Sequence, residues 1–382
     1  MKINLINKEI QEMLRTSRST NMTYREHLSK LFSNYKQLLQ DNKIELEKYC
    51  YIVYPYSELF KTVENSCKIL LQIYDSYIRG KIGYAVSLMK KHFTYEESIF
   101  NLDLQRDTTL YRARVVNDCG NTIGINSMFH VPFENRNIIT NNRFNISGYP
   151  CLYLGKSILA CWEEMRKPNP DYMFISRYSL NEKVTKKVID IRWNEHIESS
   201  LEVDDDERKG WIQFNIIRFL NTIPLKIACS IPVHDLEASF KEEYVIPQIL
   251  LLSCIGNKYV DGIAYTSTRR DEQISSDISL HHNYVFPVQK VDDRGYCTTL
   301  ASNFLMTRGV SFMEADIKNV FHAKGTPNVY VEDSTIVLGT LDQGKSEYEC
   351  TKFGQMEDYL KTQPRYSLKK IDGKWEEILI EL

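Results

Sequence analysis

The spacing of apolar residues changes character near residue 105, and this change constrains the fold more than any other feature of the chain. Before it, apolar positions recur at helical intervals. Thr23-x-x-Glu26 has the form of a capping box ahead of Leu28, Leu31, Phe32, Tyr35, Leu38 and Leu39, which predicts a helix starting just after Thr23. A second stripe, Leu59, Phe60, Val63, Cys67, Leu70, Leu71, Tyr74 and Tyr77, ends at Arg79-Gly80, where glycine can close a helix. A third, shorter helix is expected around Ala85, Val86, Leu88 and Met89. From Leu110 onward the runs are short and rich in strand formers: Leu110 to Val116, Cys151 to Leu154, Tyr172 to Tyr178 and Val188 to Ile191. Helical patterns intervene at Ser157 to Arg166 and Trp211 to Leu220. Strands and helices without regular βαβ alternation predict an α+β domain.

With 382 residues and roughly 150 per domain, two or three domains are expected. The changes in texture place them at 1-104, all-helical; 105-305, mixed; and 306-382, a C-terminal extension. Tyr366 to Ile371, the turn Asp372-Gly373, and Trp375 to Leu382 read as a closing β-hairpin. Forty-eight basic residues against fifty acidic ones leave a net charge of -2, so no global field favours nucleic acid or an anionic membrane. Nine cysteines without a CxxC pair fit neither a disulfide framework nor a zinc site, and point to a reducing cytosol. The start, Met1-Lys2-Ile3-Asn4-Leu5, lacks the apolar stretch of a signal peptide, and no uncharged run approaches the ~20 residues needed to span a bilayer. A soluble cytoplasmic protein is expected.

The chemistry concentrates in Asn142-Arg143-Phe144-Asn145, Gly148-Tyr149-Pro150 and Leu152-Tyr153-Leu154, followed by Glu163-Glu164. A cation, an aromatic ring and a carboxylate close together suit a substrate with phosphates, a flat ring and a bond whose cleavage leaves positive charge on a sugar. NAD has all three. Leu110-Tyr111-Arg112 lies upstream, and Tyr244-Val245-Ile246-Pro247-Gln248 and Asp261-Gly262-Ile263-Ala264-Tyr265-Thr266-Ser267 lie downstream.

Together these segments resemble the RES domain family, over roughly residues 105 to 290. The resemblance implies a fold related to ADP-ribosyltransferases and a bacterial toxin or abortive-defence effector that destroys NAD. It makes Arg112 and Arg143 the family's two arginines, Tyr153 its ring-contacting tyrosine, Glu164 its glutamate and Ser267 its serine. Glu164 falls eleven residues after Tyr153, as the family pattern wants. Phe144 stands where the family usually has tryptophan, and Glu163 leaves the glutamate ambiguous by one position. The helical region is similar to HEPN bundles but lacks their RxxxxH motif.

The nicotinamide leaving group already carries positive charge, so its departure needs stabilised oxocarbenium character rather than a proton. A carboxylate beside the ribose supplies that, which is the role expected of Glu164. Arginine suits a pyrophosphate by its planar fork. Arg112 on a strand beside Leu110 could equally pair with a structural carboxylate, and Arg143 in its turn could simply be solvated. Tyr153 is either a packing residue or a nicotinamide platform. Ser267 either caps a turn or orients the glutamate or a ribose hydroxyl. Asn145 counts among the binding residues, although it and Gly148 also suit shaping the turn.

No separate cofactor is expected, with NAD as substrate, and no metal. His281-His282 read as ordinary histidines, because adjacent strand residues face opposite ways. Gly339 to Ser346 matches the P-loop pattern but lacks its βαβ context, and the acidic run from Glu202 to Glu207 reads as a solvated loop. The expected reaction is NAD glycohydrolysis. An ADP-ribosyltransferase or an inactive nucleotide sensor are the alternatives. A neutralising or activating partner is expected at the N-terminal helices, and oligomers are compatible with the sequence.

Overall fold

The computed structural model describes residues 2-16, 18-19, 21-50, 54-95, 98, 100-104, 107-116, 122-182, 184-194, 206-271, 274-275, 277-318, 320, 330-332, 335-337 and 348-381. The P-loop-like Gly339 to Ser346 lies outside them, as does the acidic run up to Asp205.

The chain opens with helices α1 (Lys2–Arg15), α2 (Tyr24–Asp41), α3 (Lys43–Leu46), α4 (Tyr56–Ile78) and α5 (Ile82–Phe93). Strands β1 (Asn101–Leu104) and β2 (Leu110–Val115) lead through α6 (Ile125–Met128) to β3 (Cys151–Gly155) and α7 (Ile158–Glu164). Next come β4 (Met173–Leu180), β5 (Lys186–Ile191), α8 (Asp206–Ser230), α9 (Val245–Cys254), β6 (Gly262–Thr266) and β7 (His282–Pro287). The last part holds α10 (Thr298–Asn303), β8 (Phe304–Met306), β9 (Val310–Ser311), α11 (Phe312–Ile317), β10 (Tyr330–Glu332), β11 (Thr335–Val337), α12 (Lys352–Lys361), β12 (Arg365–Ile371) and β13 (Lys374–Glu381). A helical N-terminal region is thus followed by a sheet mixed with helices, as expected. No helix among the described residues is long and apolar enough to cross a membrane.

Contacts divide the chain into two compact units, each discontinuous in sequence. The first comprises Met1–Leu102, Asn141–Ile146 and Lys187–Ile263. Its helices start and stop where local chemistry dictates. Thr23 and Glu26 form the complete capping box of α2, which satisfies two orphan amides. Gly80, at φ +75°, closes α4, with the Lys81 amide donating back to the Ser76 carbonyl. The 25-residue α8 contains Pro224. Proline has no N–H, so the carbonyl of Leu220, four residues earlier, loses its helical donor. The Tyr35 hydroxyl of α2 supplies the missing donor at 2.7 Å. Ile216, Leu220, Ile223 and Ile227 of α8 are buried in this unit, as are Ile246, Ile249 and Leu250 of α9.

The second unit comprises Asp103–Thr140, Ser147–Lys186 and Ala264–Leu382. Its strands run in the order β7-β3-β2-β4-β8-β12-β13, with β9 beside β4. The pairs β7–β3, β3–β2, β2–β4, β4–β8, β4–β9, β8–β12 and β12–β13 are all antiparallel. The hairpin expected at the end is present, and Asp372 and Gly373 both take positive φ, as a two-residue type I′ turn requires. A core of Tyr111, Ile158, Leu159, Trp162, Ile175 and Phe353 joins α7 and α12 to β2 and β4.

Candidate functional site

Four of the six expected site residues, Arg112, Tyr153, Glu164 and Ser267, belong to the second unit, and Arg143 and Asn145 belong to the first. β2 carries Arg112 and β3 carries Tyr153, and Arg112 Nη1 donates to the Tyr153 carbonyl at 2.9 Å. The buried Nε of Arg112 has no hydrogen-bond partner. No carboxylate forms an ion pair with Arg112 among the described residues, so the structural carboxylate that could have explained it is absent there. Burial pushes its proton affinity below the usual guanidinium value, although an arginine stays charged at any physiological pH. A half-buried, unpaired guanidinium is costly to keep and presents charge-assisted donors to an anion.

Burial holds the Tyr153 phenol protonated, well above its usual value, with the nearby charge of Glu164 acting in the same direction and that of Arg112 against it. The Cys161 thiol is pushed up to about 12, mainly by burial, with the charge of Arg112 acting against the shift and that of Glu164 with it. Arg112 and Glu164 thus act electrostatically on both the phenol and the thiol, and the thiol is no nucleophile at neutral pH.

The two adjacent glutamates have different environments. Glu163 is 1% exposed. Its Oε1 accepts from the Asp271 amide at 2.8 Å, and its Oε2 lies 2.7 Å from His281 Nδ1. His281 Nε2 faces the Ser275 carbonyl at 3.1 Å. A carbonyl only accepts, so Nε2 carries a proton, and the 2.7 Å contact of Nδ1 with Glu163 Oε2 is a hydrogen bond only with a second proton between them. Glu164, half-buried at the end of α7, accepts instead from Asn283 Nδ2 of β7 at 3.1 Å.

The loop after β6 holds this end of α7. Ser267 Oγ accepts from the Arg269 amide at 3.1 Å, and Arg269 Nη1 donates to the Glu164 carbonyl at 2.6 Å. Lys167 Nζ, over the Trp162 ring, reaches Asp271 at 2.6 Å. Ser267 thus caps a turn, one of the two roles its sequence context allowed, and that turn anchors the backbone of Glu164. Arg166 and Lys167 both take left-handed φ, at 66° and 54°, which costs roughly 1–2 kcal/mol each. The Lys167 amide donating to the Trp162 carbonyl and the Lys167–Asp271 contact hold that turn in place.

At the other end of α7, Gly155 lets the helix close on β3. A Cβ there would sit 2.7 Å from Cys161 Sγ and 2.8 Å from the Ser157 carbonyl. Gly155→Ala is expected to destabilise the second unit by about 1–3 kcal/mol and to loosen α7. Chemical denaturation would measure it, and an unchanged midpoint would refute the packing argument.

In the first unit, Arg143 donates to the carbonyls of Cys229 and Ile231 at 3.0 and 2.8 Å, and its guanidinium lies 5.4 Å from the Tyr244 ring centre. It thereby caps the C-terminus of α8, where a cation meets the negative end of the helix dipole. Asn142 and Asn145 exchange backbone hydrogen bonds across the turn, and Gln248 Nε2 of α9 donates to both of their carbonyls. The Asn-rich turn and the segment from Tyr244 to Gln248 are therefore one local structure, with Asn145 acting through its backbone.

Sequence reasoning missed Asn283 and Asp271, and passed over His281 as an ordinary histidine. Asn283 carried no signal. His281 could have been suspected only by setting it beside Glu163, which lies 118 residues away in sequence. Among the described residues, no group of three or more His, Cys, Asp or Glu could hold a metal ion.

Comparison with known proteins finds a relative 30% identical over 267 residues, a Bacillus subtilis (strain 168) protein named "Putative toxin YopC". The match takes in 67% of this chain and 57% of that protein, so the chain spans somewhat over half of its relative's length. No family model matches the chain, and neither does any solved structure. The chain is thus similar to a protein whose name is that of a toxin.

Proposed function

We propose that the second unit binds NAD and hydrolyses its nicotinamide–ribose bond, and that the protein acts as a toxin by draining NAD. One observation carries this reading: Arg112, an arginine without a carboxylate partner among the described residues, is hydrogen-bonded to the backbone of Tyr153 on the strand that leads into the helix of Glu164, whose carboxylate Asn283 orients. Arg112 holds the phosphates, Tyr153 faces the nicotinamide, and Glu164 stabilises positive charge at the ribose C1′ as the bond breaks. Water then attacks C1′, nicotinamide leaves with the bonding electron pair, and one proton is released. Ser267 supports Glu164 through the Arg269 turn. Arg143 and Asn145, committed to backbone contacts in the first unit, have a structural share.

The name of the relative supports the toxin role but says nothing of NAD. A restraining or triggering partner is part of the same proposal. The helical region offers it a groove of about 1430 Å³ lined by residues of α2 and α4, among them Arg25, Lys36, Lys68 and Leu71.

The test is nicotinamide release from NAD by the purified protein, with adenine-labelled NAD followed in parallel. Free nicotinamide and free labelled ADP-ribose are expected. Label retained on macromolecules would turn the reading into ADP-ribosyl transfer, and tight NAD binding without release would make the site a sensor.

A further inference from the structure

We infer that Glu357, on α12 of the C-terminal segment, is a positioning residue for the candidate active site, seating the helix that carries Glu164. The inference rests on the proposed cleavage at Glu164.

The first amides of a helix have no intrahelical acceptor and must find one elsewhere. In α7 each of the first three is satisfied by a side chain. Ile158 N donates to Glu357 Oε1 at 2.7 Å, Leu159 N to the Tyr348 hydroxyl at 3.4 Å, and Ala160 N to Ser157 Oγ at 3.0 Å. The Tyr348 hydroxyl donates to the same Glu357 oxygen at 2.6 Å. Glu357 thus binds α7 directly and also holds the tyrosine that takes the next amide. Phe353, Met356 and Leu360 of α12 pack in the cluster that buries Ile158, Leu159 and Trp162. The far end of the same helix is anchored by the Arg269 turn. A helix of seven residues is too short to hold its own place, so the position of Glu164 depends on these two anchors.

The environment of Glu357 gives the arrangement a pH signature. Burial raises its carboxyl from 4.5 to about 7, against the opposing effects of Tyr348, the Ile158 amide, Lys361 and Lys156. Tyr111 of β2 and Cys161 of α7 also face it, and burial raises both far above neutrality. Among these shifted groups, Glu357 is the one that titrates near pH 7. A carboxyl raised in the seated state favours seating when protonated. Its contribution is complete below the ordinary carboxyl value and is lost as pH rises to about 7.

The experiment compares the parent with Glu357→Ala and Glu357→Gln in NAD cleavage and in amide exchange of the 158–164 segment. Glutamine keeps an oxygen that can accept from both Ile158 N and Tyr348. Alanine is expected to lower kcat roughly 10- to 100-fold, as a displacement of about 1 Å would, with KM little changed and exchange faster at 158–164. Glutamine is expected to restore both. It should also remove the decline in kcat that the parent shows as pH rises towards 7. Unchanged kcat in the alanine variant, or loss of kcat that glutamine does not recover, would overturn the inference. If the parent cleaves no NAD at any pH, the proposed reaction fails. Exchange at 158–164 then decides whether Glu357 seats α7, and unaltered exchange in the alanine variant would reject that as well.

Discussion

Glu164→Gln is expected to leave a folded protein that releases nicotinamide at least ~100-fold more slowly than the parent, the scale of loss when a preorganised charge-stabilising group is removed. Glutamine matches the volume of glutamate and still offers an oxygen to Asn283, whose Nδ2 donates to Glu164 Oε1. Only the negative charge disappears. The backbone carbonyl of Glu164, held by Arg269, is untouched, so the thermal midpoint should move by a degree or two at most. Nicotinamide release measured beside a melting curve checks both halves. Activity retained in the variant would dismiss Glu164 as the stabilising carboxylate and, with it, the proposed scheme for this site.

The neighbouring carboxylate should behave in the opposite sense. Glu163→Ala is expected to cost about 3–5 kcal/mol of stability, because breaking a buried pair strands its partner. The stranded groups are the His281 ring, which keeps a proton on Nε2 for the Ser275 carbonyl, and the Asp271 amide. His281→Ala should fall in the same range, and the two losses should be far from additive, since each variant removes the same contact. Denaturant unfolding of both single variants and the double variant would measure this. A loss below ~1 kcal/mol in either single variant would show that the pair is not the clamp its geometry indicates. Losses of the expected size would separate the adjacent glutamates, one acting in turnover and the other in folding.

Legibility in the sequence varied with the range of the interaction. The capping box at Thr23 and Glu26, the glycine stop after α4 and the Asp372-Gly373 turn depend on groups within a few residues of one another, and all three were readable in advance. The two glutamates could not be told apart, because one position along a helix turns a side chain by about 100°. Which of the two meets His281 and which meets Asn283 depends on where β6 and β7 run. Arg112 and Arg143 looked equivalent as turn-and-strand arginines. The structure separates them by their acceptors: one reaches the Tyr153 carbonyl with its Nε unpartnered, and the other is committed to two carbonyls at the end of α8.

The sequence by itself determined the order of helical and strand-forming segments, the position of their caps and turns, and the residue types that could serve an anionic, ring-bearing substrate, because periodicity and local hydrogen bonding act over a few residues. Only the tertiary structure decided that α8 and α9 share a unit with the N-terminal helices, that Arg143 caps a helix, and that a glutamate near the C-terminus holds the start of α7. Those outcomes rest on donors and acceptors brought together from 86 to 199 residues apart, and such pairings follow from packing rather than from any pattern along the chain.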